Sequence, residues 1–140
     1  MSTAPRWLVV IAVIALLWNL LGCVGVLADL SLTADDVAAL PAAQRAMYES
    51  RPAWGLAASA LAVLAGVAGS IALLLRKRWA SVAFALSLAG IVIQDLWLAS
   101  AASRVSSVPV VPMLLQGVVL IVGIGLLILS RRAAARGWLT

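Results

Sequence analysis

The sequence predicts an all-α integral membrane protein, a four-helix bundle. Of its 140 residues, 65% are hydrophobic and only 11% are charged, whereas a soluble domain is about half apolar and a quarter charged. The mean hydropathy is +1.15. Four apolar stretches are each long enough to cross a hydrocarbon core, which takes about 20 helical residues. Because backbone polar groups in lipid must be satisfied within the span, these stretches are predicted to be helices.

The four predicted spans form one transmembrane domain over residues 1–140. They cover residues 7–27, 53–75, 79–100 and 110–129. Arg6 precedes the first span, and Pro109 and Pro112 suit the start of the fourth helix, since proline is favoured at helix N-termini.

The basic residues predict the orientation of the chain. Most of the ten lie on one side of the spans: Arg6, Arg76, Lys77, Arg78, Arg131, Arg132 and Arg136. The positive-inside rule then places both termini in the cytoplasm, an N-in/C-in topology. The sequence pI of about 11.2 does not indicate nucleic-acid binding, because the cations form short clusters between apolar runs.

The segment 28–52 is predicted to face the periplasm and to be partly helical. Thr33 followed by Asp36 resembles a capping box that starts a short helix. Pro41 ends that helix or begins the next one, which runs through QRAMYES. One side of the segment is apolar and is predicted to rest on the mouth of the bundle or in the lipid interface. Tyr48 and Trp54 are the predicted lid residues.

Small residues predict where the helices pack. In lipid, helix association depends on close van der Waals approach, and small residues every four positions permit it. The second span carries such a ridge, and Gly22 offers a notch in the first span. The ridge consists of Ala58, Ala62, Gly66 and Ser70.

Polar residues inside three spans predict a binding pocket. At 1.5 Å per residue, Asn19 lies about 18 Å from the inner edge, Gln94 and Asp95 about 23 Å, and Gln116 about 21 Å. Polar side chains at such depth are costly unless they face each other, water or a ligand. Two tryptophans, Trp18 and Trp97, adjoin them. The predicted ligand-binding residues are therefore Trp18, Asn19, Gln94, Asp95, Trp97 and Gln116.

Other interpretations of these residues remain open. Asn19 and Gln116 also suit hydrogen bonds between helices. Asp95 is near enough to the outer interface to reach water, or it is buried and carries a proton. Trp97 suits an interfacial aromatic belt. Cys23 is either a small packing residue or, in LLGC, the cysteine of a lipoprotein signal, against which Trp18 and Asn19 interrupt the hydrophobic region.

The composition argues against an enzyme. The chain has no histidine and one cysteine, which excludes a histidine-based metal site, a histidine-dependent triad and an intramolecular disulfide. No pair of nucleophile and base is apparent, so no catalytic residue, metal or cofactor is predicted. A lipid-modifying activity that uses Asp95 is the one exception left open.

Three segments carry a resemblance to a known group of proteins. WNLLGCVGVLADL, YESRPAW and LLLRKRWA resemble small bacterial inner-membrane proteins that are commonly labelled sugar transporters. The resemblance extends from the first span through the third. It implies a four-span architecture and the inner membrane of a Gram-negative bacterium.

Two functions follow from these observations. The first is binding or transport of a small polar, sugar-like solute through an outward-facing pocket, with the chain as an oligomer in the lipid bilayer. Amides and a carboxylate suit hydroxyl groups, and indole rings suit the apolar face of a sugar. The alternative is a non-transporting accessory or scaffold subunit that docks on another membrane protein through its small-residue ridges.

Overall fold

The computed structural model describes residues 4–140, which form six helices and no strand. They are α1 (Arg6–Leu30), α2 (Ala34–Ala39), α3 (Ala42–Glu49), α4 (Ala53–Leu74), α5 (Ala80–Ala102) and α6 (Val110–Ala135). The four longest, α1, α4, α5 and α6, are long and apolar enough to cross a membrane. The predicted all-α, four-span architecture is thus confirmed, with α1 and α6 extending several residues beyond the predicted spans.

Helix α4 lies at the centre of the bundle. It packs against both α1 and α5, and α5 in turn packs against α6. Of the most apolar part of each helix, 39% is buried in α4 but only 11% in α1 and 17% in α6. Over the described residues, α1 and α6 are not joined by comparable contact. These two helices therefore border a groove whose base is formed by α4 and α5.

The four helices converge at the end that holds both described termini, called here the termini end. Its core cluster joins residues of all four helices and the C-terminal tail: Leu8, Ala12, Ala72, Leu73, Ala80, Phe84, Ala133 and Leu139. The rings of Trp7 and Trp138 meet edge to face, with centroids 5.6 Å apart. The groove between α1 and α6 is therefore closed by packing at this end.

Two matching turns organise the termini end. Both α4 and α6 end in a Schellman motif, in which the residue after the C-cap is left-handed. In α6 that residue is Gly137 with φ 70°, whereas in α4 it is Arg76 with φ 56°. The backbone N–H of Thr140 donates to the carbonyl oxygen of Arg76 at 2.6 Å, and the N–H of Arg78 donates to the carbonyl of Thr140 at 3.0 Å. The C-terminal tail thus pairs with the turn between α4 and α5.

The opposite end, called here the loop end, carries α2 and α3. The predicted capping box is present: the N–H of Asp36 donates to Oγ1 of Thr33 at 3.2 Å, and the N–H of Thr33 donates to Oδ2 of Asp36 at 2.9 Å. Pro41 is the N-cap of α3. Met47 of α3 is buried against Ala101 and Ala102 of α5. The segment therefore rests on the bundle through Met47.

Candidate functional site

A cavity of about 590 Å³ lies in the groove between α1 and α6. Its size falls in the usual range of small-molecule sites, about 300–1,000 Å³. Most lining residues are apolar, and eight side chains with polar groups interrupt them: Trp18, Asn19, Asp29, Arg51, Ser59, Ser87, Gln94 and Gln116. On α1 the lining runs from Trp18 to Asp29, which corresponds to about 16 Å of helix. The cavity is therefore elongated along the bundle axis.

Close packing of α4 on α5 forms the base of the cavity. A Cβ added to Gly90 would lie 2.7 Å from the carbonyl oxygen of Ala58 and 2.8 Å from the nitrogen of Ala62. Only glycine allows the two backbones to approach so closely. The hydroxyl of Ser87 on α5 donates to the carbonyl oxygen of Ala62 on α4 at 2.6 Å. This hydrogen bond joins the two helices next to the Gly90 contact.

Asn19 connects α1 to the ridge of α4. Its amide Nδ2 donates to the carbonyl oxygen of Ala15 at 2.8 Å and to Oγ of Ser70 at 3.3 Å. The space that a Cβ at Gly66 would need is occupied by the Asn19 side chain, whose Oδ1 would lie 1.9 Å from it. Gly22 meets α4 in the same manner, since its added Cβ would lie 3.0 Å from Val63. The ridge of small residues on α4 is thus used for packing within the chain.

Two glutamines face the cavity nearer the loop end. Gln94 accepts a hydrogen bond through Oε1 from the hydroxyl of Ser59 at 2.8 Å, which ties α5 to α4. Gln116 donates through Nε2 to Oδ1 of Asp95 at 2.6 Å, which ties α6 to α5. Each amide therefore has one of its two polar ends paired with protein.

An ion pair lies where the cavity meets the loop end. The guanidinium Nη1 of Arg51 contacts Oδ2 of Asp29 at the end of α1. The hydroxyl of Tyr48 donates to the carbonyl oxygen of Asp29 at 3.4 Å, and the Arg51 guanidinium lies over the Tyr48 ring at 5.0 Å. The segment between α1 and α4 is thus fastened to both helices at the cavity mouth.

A second, wholly apolar compartment continues the groove towards the termini end. It has a volume of about 360 Å³, and three residues, Trp18, Val122 and Leu126, line both compartments. Its other lining residues are Ile11, Ile14, Ala15, Gly125 and Leu129. The polarity of the groove therefore changes along its length. Polar groups line it towards the loop end, and only apolar groups line it between Trp18 and the termini end.

Of the predicted ligand-binding residues, the structure brings four to the cavity: Trp18, Asn19, Gln94 and Gln116. Asp95 does not line the cavity but holds the amide of Gln116. Trp97 packs beside the cluster around Met47. Of the predicted lid residues, Tyr48 contacts the ion pair at the mouth, whereas Trp54 is 54% exposed on the bundle surface.

The distances counted along each span predict that the polar residues of α1, α5 and α6 lie at similar heights in the membrane. This prediction is wrong for Asn19. Asn19 meets α4 at Gly66 and Ser70, whereas Gln94 meets it at Ser59. The offset along α4 between Ser59 and Gly66 corresponds to about 10 Å. Counting from the start of each span assumes that all helices begin in one plane. However, α1 begins 13 residues before Asn19, whereas α4 ends only four residues after Ser70, to which Asn19 bonds.

Sequence reasoning missed three polar residues of the cavity. Ser59 lies on α4 next to Ala58 of the ridge of small residues, but it was not among the predicted site residues. Asp29 and Arg51 belong to the segment 28–52, which was predicted only to face the periplasm and to be partly helical. Their opposite signs at the two ends of one loop were a usable signal, because the ends of a connection between packed antiparallel helices lie close together.

The architecture is that of a multi-pass membrane protein, with four helices that could cross the bilayer and a groove between two of them. Comparison with protein-family models, with curated proteins and with solved structures gave no match.

Proposed function

We propose that the protein binds a small amphipathic molecule in the groove between α1 and α6. The observation that supports this proposal most directly is the change in polarity along the groove. Polar side chains line it near the loop end, and an apolar compartment lies between Trp18 and the termini end. Apolar lining with a few placed polar groups is typical of small-molecule sites. A molecule with a polar end and an apolar body would match both compartments.

The same lining argues for an amphiphile over a sugar-like solute. A sugar brings many hydroxyl groups, each of which needs a partner once it leaves water. The amides of Asn19, Gln94 and Gln116 already have one polar end bound to protein. Too few polar groups remain for a polyol, whereas one polar head group needs only a few.

The groove also suggests how the molecule would enter. Because α1 and α6 are separated along the cavity, a lipid-soluble molecule would reach it sideways from the bilayer. Packing around Phe84 and Leu73 closes the termini end, so a route straight through the bundle is not open in this conformation. Binding is therefore the activity proposed, and transport would require the helices at the termini end to separate.

Two glycines give the proposal a matched test. A Cβ at Gly25 or at Gly117 would meet nothing within 4 Å, and only Gly25 lines the cavity. Gly25→Phe should fill the cavity, and Gly117→Phe makes the same change on α6 outside it. Small molecules that co-purify with each protein are extracted and identified by mass spectrometry.

We expect one compound to be enriched with the wild type and Gly117→Phe and depleted at least about tenfold with Gly25→Phe, which is about 1.4 kcal/mol of binding free energy. Identical extracts from all three proteins would contradict the proposal.

The orientation belongs to the same proposal. The cationic residues at the termini end are exposed, and the Asp and Glu residues of the described chain lie on α5 or at the loop end. The positive-inside rule then assigns the termini end to the cytoplasm of a bacterial inner membrane, and the cavity opens outwards. In a Cys23→Ser background, a membrane-impermeant maleimide should label Glu49→Cys in intact cells but leave Thr140→Cys unlabelled. Labelling of Thr140→Cys alone would reverse the assignment.

The ridge of α4 was one support for the accessory-subunit alternative. Since Gly66 contacts Asn19 and Ala62 contacts Gly90, that ridge accounts for packing within the chain and no longer favours docking on a partner. That the chain works as an oligomer stays a prediction from the sequence.

A further inference from the structure

Two polar atoms of the cavity lining that have no hydrogen-bond partner indicate which polar group a ligand can present. Gln116 uses its Nε2 hydrogen on Asp95, and its Oε1 has no partner among the described residues. Gln94 uses its Oε1 on Ser59, and its Nε2 likewise has no partner within residues 4–140. Neither atom is buried without a partner, so both remain accessible. At the two glutamines the cavity thus offers one unpaired amide oxygen and one unpaired amide nitrogen near the loop end.

Asp95 determines which end of the Gln116 amide is available to a ligand. An ionised carboxylate can only accept hydrogen bonds, whereas an amide can turn to present either its oxygen or its nitrogen. With Nε2 held on Oδ1 of Asp95 at 2.6 Å, the amide oxygen is the end that remains. Asp95 therefore acts as a positioning residue for Gln116 although it does not line the cavity itself.

The geometry points to a hydroxyl-bearing amphiphile as the ligand, selected against an acid of the same length through the Asp95–Gln116 pair. A hydroxyl group donates and accepts at once, so it matches both Oε1 of Gln116 and Nε2 of Gln94. A carboxylate has no hydrogen to donate to Oε1 of Gln116. A site with polar groups left unpaired rejects such an analogue strongly.

The mouth of the cavity agrees with an uncharged polar group. Asp29 and Arg51 neutralise each other there, so no unpaired cation is offered to an anionic head group. An ammonium group would satisfy Oε1 of Gln116 but could not accept from Gln94. The alcohol is the one of these head groups that pairs with both glutamines.

This inference rests on the proposed function, and its test separates the two. The probes are dodecanol, dodecanoate and dodecylamine, added at neutral pH to the purified protein. The readout is the probe-induced rise of the thermal midpoint, from which the rise in Gly25→Phe is subtracted, so that only binding in the cavity counts. We expect dodecanol to bind at least about tenfold more tightly than dodecanoate, because leaving one buried polar group without a partner has a cost of that order.

Asp95→Asn tests the positioning role. Asparagine can donate as well as accept, so the Gln116 amide is free to turn and present either end to the cavity. The ratio of alcohol to acid affinity should then fall to within about threefold. If Asp95 were merely structural, both affinities would fall together and the ratio would stay. Should Asp95→Asn fail to fold, Gln116→Met, which removes the acceptor at nearly constant shape, must lower the ratio in the same way.

The outcomes are distinct. A ratio near one in the wild type, with clear cavity-specific binding of both probes, overturns the inference and leaves the proposed function standing. An unchanged ratio in both Asp95→Asn and Gln116→Met overturns the role of the pair. No cavity-specific shift for any of the three probes overturns the amphiphile proposal itself.

Discussion

At the scale of single residues, the contact between Asn19 and Gly66 explains how a polar side chain is accommodated inside a span. Asn19 occupies the space where any other residue at position 66 would place its Cβ, and it bonds to Ser70 one turn further on. Glycine at 66 and asparagine at 19 are therefore required together. The small residue of α4 is matched to a particular polar partner on α1.

This pairing predicts a strongly coupled double-mutant cycle. Gly66→Ala should lower the free energy of unfolding by about 1–3 kcal/mol, the usual cost of overpacking. In an Asn19→Ala background the same change should cost little, because the colliding side chain is gone. The thermal midpoints of the four proteins give the coupling energy, expected at about 1 kcal/mol or more. Additive effects would contradict the contact.

Gly90→Ala is the contrasting case. Its added Cβ meets backbone atoms of Ala58 and Ala62, which cannot turn aside as a side chain can. The substitution should cost about as much as Gly66→Ala but should not be relieved by Asn19→Ala. Relief in that background would mean that the loss reflects general loosening of the bundle and not the two specific contacts.

At the scale of elements, the two Schellman motifs differ in the residue that takes the left-handed conformation. Arg76 holds φ 56° where α6 uses Gly137, and an L residue with a side chain pays about 1 kcal/mol for this conformation. Arg76→Gly should therefore raise stability by up to about 1 kcal/mol, and Gly137→Ala should lower it by a similar amount. Denaturation of both variants in the same detergent measures the two shifts. A loss of stability in Arg76→Gly would show that the arginine side chain contributes more than its backbone conformation costs.

The short helix α2 is predicted to depend on pH. Hydrogen bonds from the Thr33 hydroxyl and backbone to the Asp36 carboxylate hold the pKa of Asp36 below its ordinary value of 3.8. A carboxyl whose pKa is lowered by folding stabilises the folded state above its unfolded pKa, and this contribution is lost as the pH falls through the lower folded value. The amide hydrogen-exchange protection of α2 should therefore fall in acid, below about pH 4.

Asp36→Ala and Asp35→Ala make a matched pair for this prediction. Both remove an acidic residue from the first turn of α2, but only Asp36 bonds to Thr33. Asp36→Ala should abolish the protection of α2 and its acid dependence, whereas Asp35→Ala should retain most of both. Equal loss in the two variants would assign the effect to the helix dipole in place of the capping box.

At the scale of the whole molecule, hydropathy and small residues predicted the four spans and their helical class, because lipid leaves the backbone few alternatives. The capping box of Thr33 and Asp36 was also predictable, since it depends on local spacing. The relative heights of the helices were not. How far α1 extends past α4 depends on packing between Leu8 and the C-terminal tail, which no periodicity encodes.

The candidate site was predictable in part for the same reason. Asn19, Gln94 and Gln116 were found because polar residues are rare in spans. That Asp95 holds Gln116 instead of facing the cavity depends on the rotation of α5 relative to α6. The gap between α1 and α6 exists because α1 packs on α4 and α6 packs on α5. Which helices pack together depends on the complete chain and cannot be predicted from one span.

The central claim is that this gap holds a small molecule. Its most direct test is the mass of the intact protein, released from membranes for native mass spectrometry, in the wild type and in Gly25→Phe. We expect the wild type to carry one small adduct per chain, released on unfolding, and Gly25→Phe to carry none. A wild type without an adduct, or the same adduct on Gly25→Phe, would contradict it.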